Sequence, residues 1–210
     1  MVDEAFWDER YRASSALWSG QPNAHLVSEA TGLTPGTALD IGCGEGADAI
    51  WLAERGWRVT AVDFSTVALQ RGAAHAAQVS ADVAQRITWL HADLTTWVPV
   101  EASYDLVSAQ FMHLLKDPRD ALFRRLAASV TPGGSLLIVG HHPSDLQTTA
   151  RRPSLPEMFF TAADVAALLD PPEWRTAVNE SRARPALDPD GQTITIHDAV
   201  LRAARKGHAH

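Results

Sequence analysis

Ala38-Leu39-Asp40-Ile41-Gly42-Cys43-Gly44-Glu45-Gly46 is a short apolar run that ends in an acid and passes into three glycines at alternate positions. The pattern is that of a buried strand carrying its C-terminal end to a ligand. Glycines at 42, 44 and 46 let the backbone turn sharply and approach a bound molecule with no side chain between. The helix that follows offers unpaired N–H groups. Further on, Trp57 to Val62 reads as a second strand, and Asp63 ends it just before Phe64-Ser65. In a doubly wound sheet the ligand loops gather at the carboxyl ends of the strands, where an acid accepts hydrogen bonds from ribose hydroxyls. These residues therefore read as a nucleoside site. Gly42, Gly44 and Ala47 also satisfy G-x-G-x-x-A, so spacing alone leaves a nicotinamide dinucleotide open.

A third acid weighs against the dinucleotide. Arg86 to Leu94 reads as another strand ending in an acid, Asp93, placed to accept from an exocyclic adenine amine. Acids at three strand ends, with Asp40 ahead of the glycines, suit a nucleoside that carries an ammonium and a sulfonium. They would repel a pyrophosphate. Leu39-Asp40-Ile41-Gly42-Cys43-Gly44-Glu45-Gly46, Val62-Asp63-Phe64-Ser65, Ala92-Asp93-Leu94, Tyr104-Asp105-Leu106-Val107 and Thr131-Pro132-Gly133-Gly134 resemble, in order, the motifs of class I S-adenosylmethionine-dependent methyltransferases. Near the N-terminus, Phe6-Trp7-Asp8-Glu9-Arg10-Tyr11 and Leu17-Trp18-Ser19-Gly20-Gln21-Pro22-Asn23 resemble the lid of the thiopurine and tellurite-resistance branch.

The resemblance implies S-adenosylmethionine as cofactor and assigns residues to it. Asp63 would hold the ribose, Phe64 would pack on the adenine, Asp93 would meet its amine and Leu94 would offer a backbone N–H. The turn of Asp40, Gly42, Cys43 and Gly44 would hold the methionine end, with Gln110 nearby. Tyr11 and Trp18 would close over the cofactor from the lid. In the tellurite-resistance members a histidine stands ahead of the last hairpin. Here Arg182, Ala183, Arg184 and Pro185 stand there, and the arginines are suited to an acidic acceptor.

The expected fold is α/β, a doubly wound, mostly parallel seven-stranded sheet closed by a C-terminal antiparallel hairpin. From Thr37 onward short apolar runs alternate with helical segments, the signature of a parallel sheet covered on both faces. Helices are expected over Glu4 to Arg12, Ala24 to Ala30, Glu45 to Arg55, Ser65 to Val79 with Gly72 as a weak point, and Asp117 to Val130 with Asp117 as cap. Thr131-Pro132-Gly133-Gly134 is expected to turn into a strand over Ser135 to Gly140. Thr161 with Asp164 resembles a capping box for a helix to about Leu169. Strands over Glu173 to Ser181 and Thr193 to Ala203 flank the turn residues Asp188 to Gly191. The 210 residues are expected to form one methyltransferase domain, with 1–32 as an N-terminal lid and helical cover.

A net charge of −7 disfavours nucleic acid and anionic membranes as partners. No apolar run nears the roughly 20 residues that span a bilayer, and the N-terminus carries acids where a secretory signal carries bases. The expectation is a cytoplasmic monomer or homodimer. One cysteine, Cys43, allows no internal disulfide, and no metal site is expected. The expected activity is methyl transfer to a small molecule through a thiol, heteroaromatic nitrogen or hydroxyl; the alternatives are a methyltransferase acting on a protein or nucleic acid and a non-catalytic nucleoside-cofactor-binding protein. Phe111, His141 and His142 would border the acceptor, and His113 is the candidate general base. The loop from Ser144 to Pro156 is long enough to be a binding segment.

Overall fold

The computed structural model describes residues 4–13, 20–112, 114–153 and 155–207. Trp18 and His113, expected near cofactor and acceptor respectively, lie outside the described residues. The apolar runs pair as expected: Thr37–Ile41 (β1), Arg58–Asp63 (β2), Ile87–His91 (β3), Tyr104–Gln110 (β4) and Val130–His141 (β5) run parallel. Trp174–Leu187 (β6) and Thr193–Arg205 (β7) form an antiparallel hairpin whose second strand pairs with β5. The order is β3-β2-β1-β4-β5-β7-β6, so the chain reverses direction across the sheet between β1 and β4. Ligand crevices form at such a switch point.

Both faces are covered, which is why the central strands carry apolar residues at successive positions. On one face, Leu26 and Ala30 of α2 (Ala24–Ala30), Leu52 of α3 (Ala47–Glu54), Leu69 of α4 (Thr66–Val79) and Val83 of α5 (Ala81–Gln85) pack on Ala38, Ala61 and Leu137. On the other, Leu122, Phe123 and Leu126 of α6 (Lys116–Ser129) and Val165 of α7 (Ala162–Ala166) pack on Leu39, Val107 and Ile138. The first helix, α1 (Glu4–Ala13), docks on the start of α4 through Asp8, whose carboxylate accepts from Ser65 Oγ at 2.5 Å. Among the described residues no helix is long and apolar enough to cross a membrane.

Several boundaries differ from expectation for identifiable reasons. Helix α3 starts at Ala47 because Gly46, with φ +85°, cannot be helical. A short helix, α5, follows Ser80, whose hydroxyl accepts from Val83 N at 3.1 Å and restarts the helix after the break. Helix α6 begins at Lys116 with Leu115 at its cap position, so Asp117 lies inside the first turn rather than capping it. There it still faces the positive end of the helix. Strand β5 begins at Val130, and Thr131 to Gly134 form a bulge within it, between the pairs Tyr104↔Val130 and Leu106↔Ser135. Helix α7 has the expected capping box but ends at Ala166, short of Leu169. Strand β6 continues past Ser181 to Leu187 and includes Pro185, which an edge strand tolerates because no ladder N–H is needed on its outer side. Strand β3 stops at His91, leaving Asp93 in the turn beyond it.

Gly72 is the space that Trp89 occupies. A Cβ at Gly72 would lie 2.5 Å from the Trp89 ring, and one at Gly46 would lie 2.4 Å from it. The two glycines let the indole of β3 wedge between the glycine turn and α4. In an ordinary helix Gly→Ala stabilises by about 1 kcal/mol. Here Gly72→Ala should destabilise by about 1 to 3 kcal/mol through overpacking. In a Trp89→Leu background the same change should become neutral or stabilising. Thermal unfolding of the four proteins checks this, and a destabilisation of equal size in both backgrounds would contradict it.

Candidate cofactor and acceptor site

The carboxyl ends of β1, β2 and β4 meet around the glycine turn. Gly42 N and Cys43 N both donate to Val62 O, at 2.8 and 3.1 Å, which folds the turn back over β2. Gly42 has φ +67°, and a Cβ there would lie 2.8 Å from Met112 Sδ. Asp63 fastens the arrangement. Its Oδ2 accepts from Gly44 N and its Oδ1 from Ser65 N, each at 2.8 Å. A carboxylate oxygen has a second lone pair, so both oxygens can still accept from a ligand hydroxyl.

Two further acids stand behind this turn. Asp40 is buried, its Oδ1 side taken up by the Ala49 N–H while Oδ2 is fully enclosed with no hydrogen-bond partner. Asp48, which the sequence reading did not single out, accepts from Asn23 N at 2.6 Å and so pins the start of α2 to the start of α3. Burial, reinforced by Asp48 and Asp63, raises the Asp40 carboxyl well above its ordinary value. Burial pushes Asp48 up to about 6, against the lowering effect of the Asn23 N–H. Asp63 is raised by burial, with the N–H groups of Ser65, Gly44 and Phe64 working the other way. The Cys43 thiol is pushed up first by burial and then by Asp40 and Asp63, so it stays protonated and unreactive at neutral pH. The cluster is a negative well faced mainly by backbone N–H groups, with His91 acting on Asp63 from β3.

Phe64 sits beside Asp63, with its carbonyl accepting from His91 Nε2 at 3.0 Å. Asp93 is exposed and its Oδ1 accepts from Thr95 N and Thr95 Oγ1, at 2.8 and 2.7 Å, while Leu94 beside it is buried. Tyr11 is buried on α1. Gln110 ends β4 with its Nε2 on Ser108 Oγ and its Oε1 enclosed without a partner. Phe111 follows in the left-handed region at φ +52°, strain that a non-glycine residue carries at functional sites. Its ring lies 4.8 Å from that of His141, which in turn lies 6.0 Å from Phe159, forming an aromatic wall at the ends of β4 and β5.

On the acceptor side several of the expected residues have partners within the protein. His142 Nδ1 accepts from Ser144 N at 3.2 Å and caps the 3-10 turn Pro143–Gln147, so its ring is engaged in holding the loop. The loop from Ser144 to Pro156 is anchored by Asp145, fully buried, which takes Arg152 Nη2 at 2.9 Å and His197 N at 2.8 Å. Arg182 is paired with Glu29 at 2.7 Å and Glu180 at 2.8 Å, and Arg184 with Asp198 at 2.5 Å. Both guanidiniums already have carboxylate partners.

Residues 38–134 match the family described as "Methyltransferase domain". This part of the chain, just under half of its length, resembles a methyltransferase domain. An "Uncharacterized methyltransferase" of Mycobacterium tuberculosis is 42% identical over 102 residues, 48% of this chain and 48% of that protein. A "Probable thiol methyltransferase 2" of Arabidopsis thaliana is 30% identical over 137 residues, 62% of this chain and 59% of that protein. The chain thus spans about half the length of the curated relatives it matches most strongly. Among solved structures, one from work on "Conversion of a Disulfide Bond into a Thioacetal Group during Echinomycin Biosynthesis" has TM-score 0.75 at 21% identity, covering 100% of this chain and 93% of that one. TehB from Haemophilus influenzae has TM-score 0.70 at 19% identity, covering 97% of this chain and 66% of that one. At these identities the likeness is one of fold. Two solved structures of this fold, from Methanosarcina mazei (TM-score 0.62) and Mesorhizobium loti (TM-score 0.59), each 19% identical, are S-adenosylmethionine-dependent methyltransferases.

Asp48 gives the negative well a measurable signature. With a carboxyl at about 6 in the folded state against 3.8 ordinarily, the folded protein binds the extra proton between those values. The stability this contributes is present below about pH 4 and is lost as pH rises through 6, by about 2 to 3 kcal/mol. Urea unfolding of the cofactor-free protein at pH 4 and 7 should show that loss in the parent relative to Asp48→Asn. Parallel pH dependence in the two proteins would contradict the assignment.

Proposed function

We propose that this protein transfers the methyl group of S-adenosylmethionine to a small-molecule acceptor. The observation that carries the reading is the pair of enclosed, unpartnered acceptors, Asp40 Oδ2 and Gln110 Oε1, at the ends of β1 and β4. A buried acceptor without a donor costs about 1 to 3 kcal/mol. A ligand ammonium beside these strand ends supplies both the donor and the charge that the acids lack. Inorganic pyrophosphate or a dinucleotide would add anions to a site already short of cations.

The residues fit the cofactor as the motif resemblance assigns them. Asp63 keeps lone pairs for ribose hydroxyls, Phe64 offers its ring to adenine, and Asp93 keeps Oδ2 for the amine while Leu94 offers its N–H. The turn of Asp40, Gly42, Cys43 and Gly44, with Gln110, takes the methionine end. The described helices of the expected N-terminal cover, α1 and α2, reach this region through Asp8 on Ser65 and Asn23 on Asp48. When bound, S-adenosylmethionine brings a methyl carbon already activated by the sulfonium, so the chain's tasks are to bind, align and exclude water. Phe111, His141 and Phe159 form the wall on which a flat acceptor would lie, and the thiol methyltransferase among the relatives supports a compact acceptor.

Asp63→Ala should weaken S-adenosylhomocysteine binding about 10- to 150-fold, about 1.5 to 3 kcal/mol, because ribose donors lose a charged acceptor and Gly44 loses its clamp. Calorimetry of both proteins checks this, and equal affinities would overturn the ribose assignment. Transfer of labelled methyl to an aromatic thiol, a hydroxyquinoline or a heteroaromatic nitrogen supports the activity. Transfer confined to protein or RNA would overturn the small-molecule reading.

A further inference from the structure

His25 acquires in the fold an orienting acid that the sequence does not place beside it. It lies in the first turn of α2, and its Nε2 is 3.0 Å from Oδ2 of Asp198, 173 residues away on β7. The Asp198 side chain is fully buried, and Arg184 from β6 reaches the same carboxylate, Nε at 2.5 Å from Oδ2 and Nη2 at 3.4 Å from Oδ1. Through its neighbours His25 is connected to both halves of the site. On one side, the cap residue of its helix, Asn23, is held by Asp48 at the start of α3. On the other, Asp198 is the register partner of His141, whose ring stacks near Phe111. Register partners in an antiparallel pair present their side chains on the same face.

We propose that His25 is the proton acceptor of the methyl-transfer reaction, held by Asp198, and that the acceptor substrate is an X–H nucleophile that must lose a proton: a hydroxyl, a thiol or an ammonium. The claim rests on the methyl-transfer reading above. Asp198 is kept ionised despite its burial by His25 and Arg184 together, which hold its carboxyl below the ordinary value. An ionised Asp198 accepts from Nε2, so Nε2 carries the hydrogen and Nδ1 keeps its lone pair. Nδ1 makes no hydrogen bond among the described residues. The other charged groups around it are spoken for: Glu29, one turn along α2, takes Arg182 at 2.7 Å and Arg202 at 2.9 Å. In the step, the X–H proton passes to Nδ1 and the X–H electron pair forms the bond to the methyl carbon. The carbon–sulfur pair stays on the departing thioether. Asp198 stabilises the imidazolium that results, the relation of base and orienting acid that activates nucleophiles in general.

The test uses His25→Gln, whose amide can still donate to Asp198 but cannot take a proton. In the parent, nitrogen-resolved NMR of the His25 ring at pH 8 should show the Nε2–H tautomer; the Nδ1–H tautomer would overturn the proposal. S-adenosylhomocysteine should bind parent and variant alike by calorimetry. With whichever aromatic thiol, phenol, hydroxyquinoline or amine is turned over, His25→Gln should lower the single-turnover rate about 10²- to 10⁴-fold and abolish the low-pH inflection of the parent. Asp198→Asn should lose rate in the same direction. A rate within threefold of the parent, or turnover only of acceptors already ionised, would overturn the proposal, as would a full rescue by glutamine. Failure of the parent to bind S-adenosylhomocysteine would instead overturn the methyl-transfer reading on which it rests.

Discussion

One carboxylate, that of Asp63, holds the two ligand-facing loops in register. By accepting from Gly44 N with one oxygen and Ser65 N with the other, it ties the glycine turn after β1 to the turn after β2. The turn after β2 is in turn where Asp8 of α1 lands, on Ser65 Oγ and, more weakly, Thr66 Oγ1 and Val67 N. Asp8 is held below the ordinary carboxylate value: burial opposes ionisation, and the bonds from Ser65 and Val67 and the charge of Arg12 more than offset it. Sheet edge, glycine turn and N-terminal helix are thus linked through two acids, each satisfied by backbone or hydroxyl donors. Charge-assisted bonds of this kind are roughly twice as strong as neutral ones.

The neighbouring acids follow the opposite rule. Asp40 is enclosed and Asp48 half-buried, and both carboxyls are raised by burial that their backbone donors do not offset, which costs the folded protein stability unless protons or a ligand make up the deficit. Departures from good packing chemistry of this type collect where a protein binds something. The dipole at the start of α3 offers only partial relief. On the proposed function a cationic nucleoside would supply the missing charge, and a thioether product that has lost the sulfonium charge would supply less of it. The same electrostatics that would seat the substrate would thereby loosen the product.

Most of the sheet was legible because its signals are local. Alternating apolar runs, the three glycines and the acids at strand ends each lie within a few residues, and the strands they predict are the strands observed. Asp93 is the instructive miss: an acid at the end of an apolar run, it falls two residues beyond β3 because His91 already closes the strand on Phe64 O. Partnerships across long separations were not legible. Gly72 is a poor helix residue until Trp89 arrives from β3 to use its empty Cβ position. His25 and Asp198 meet only after β7 has inserted beside β5, and Arg184 reaches them only because β6 runs on past Pro185. The arginines near the hairpin read as free charges in sequence, yet each finds a carboxylate once the sheet closes.

The central claim is that the buried acids at the strand ends seat a cation, and a single pair of ligands tests it. S-adenosylhomocysteine and its analogue lacking only the α-amino group have the same adenine, ribose, thioether and carboxylate. Calorimetry on the parent at pH 7.5 should show the amino-free analogue binding at least about 30-fold more weakly, since a charge-assisted contact in a desolvated site is worth about 2 kcal/mol or more. Equal affinities for the two compounds would contradict the account.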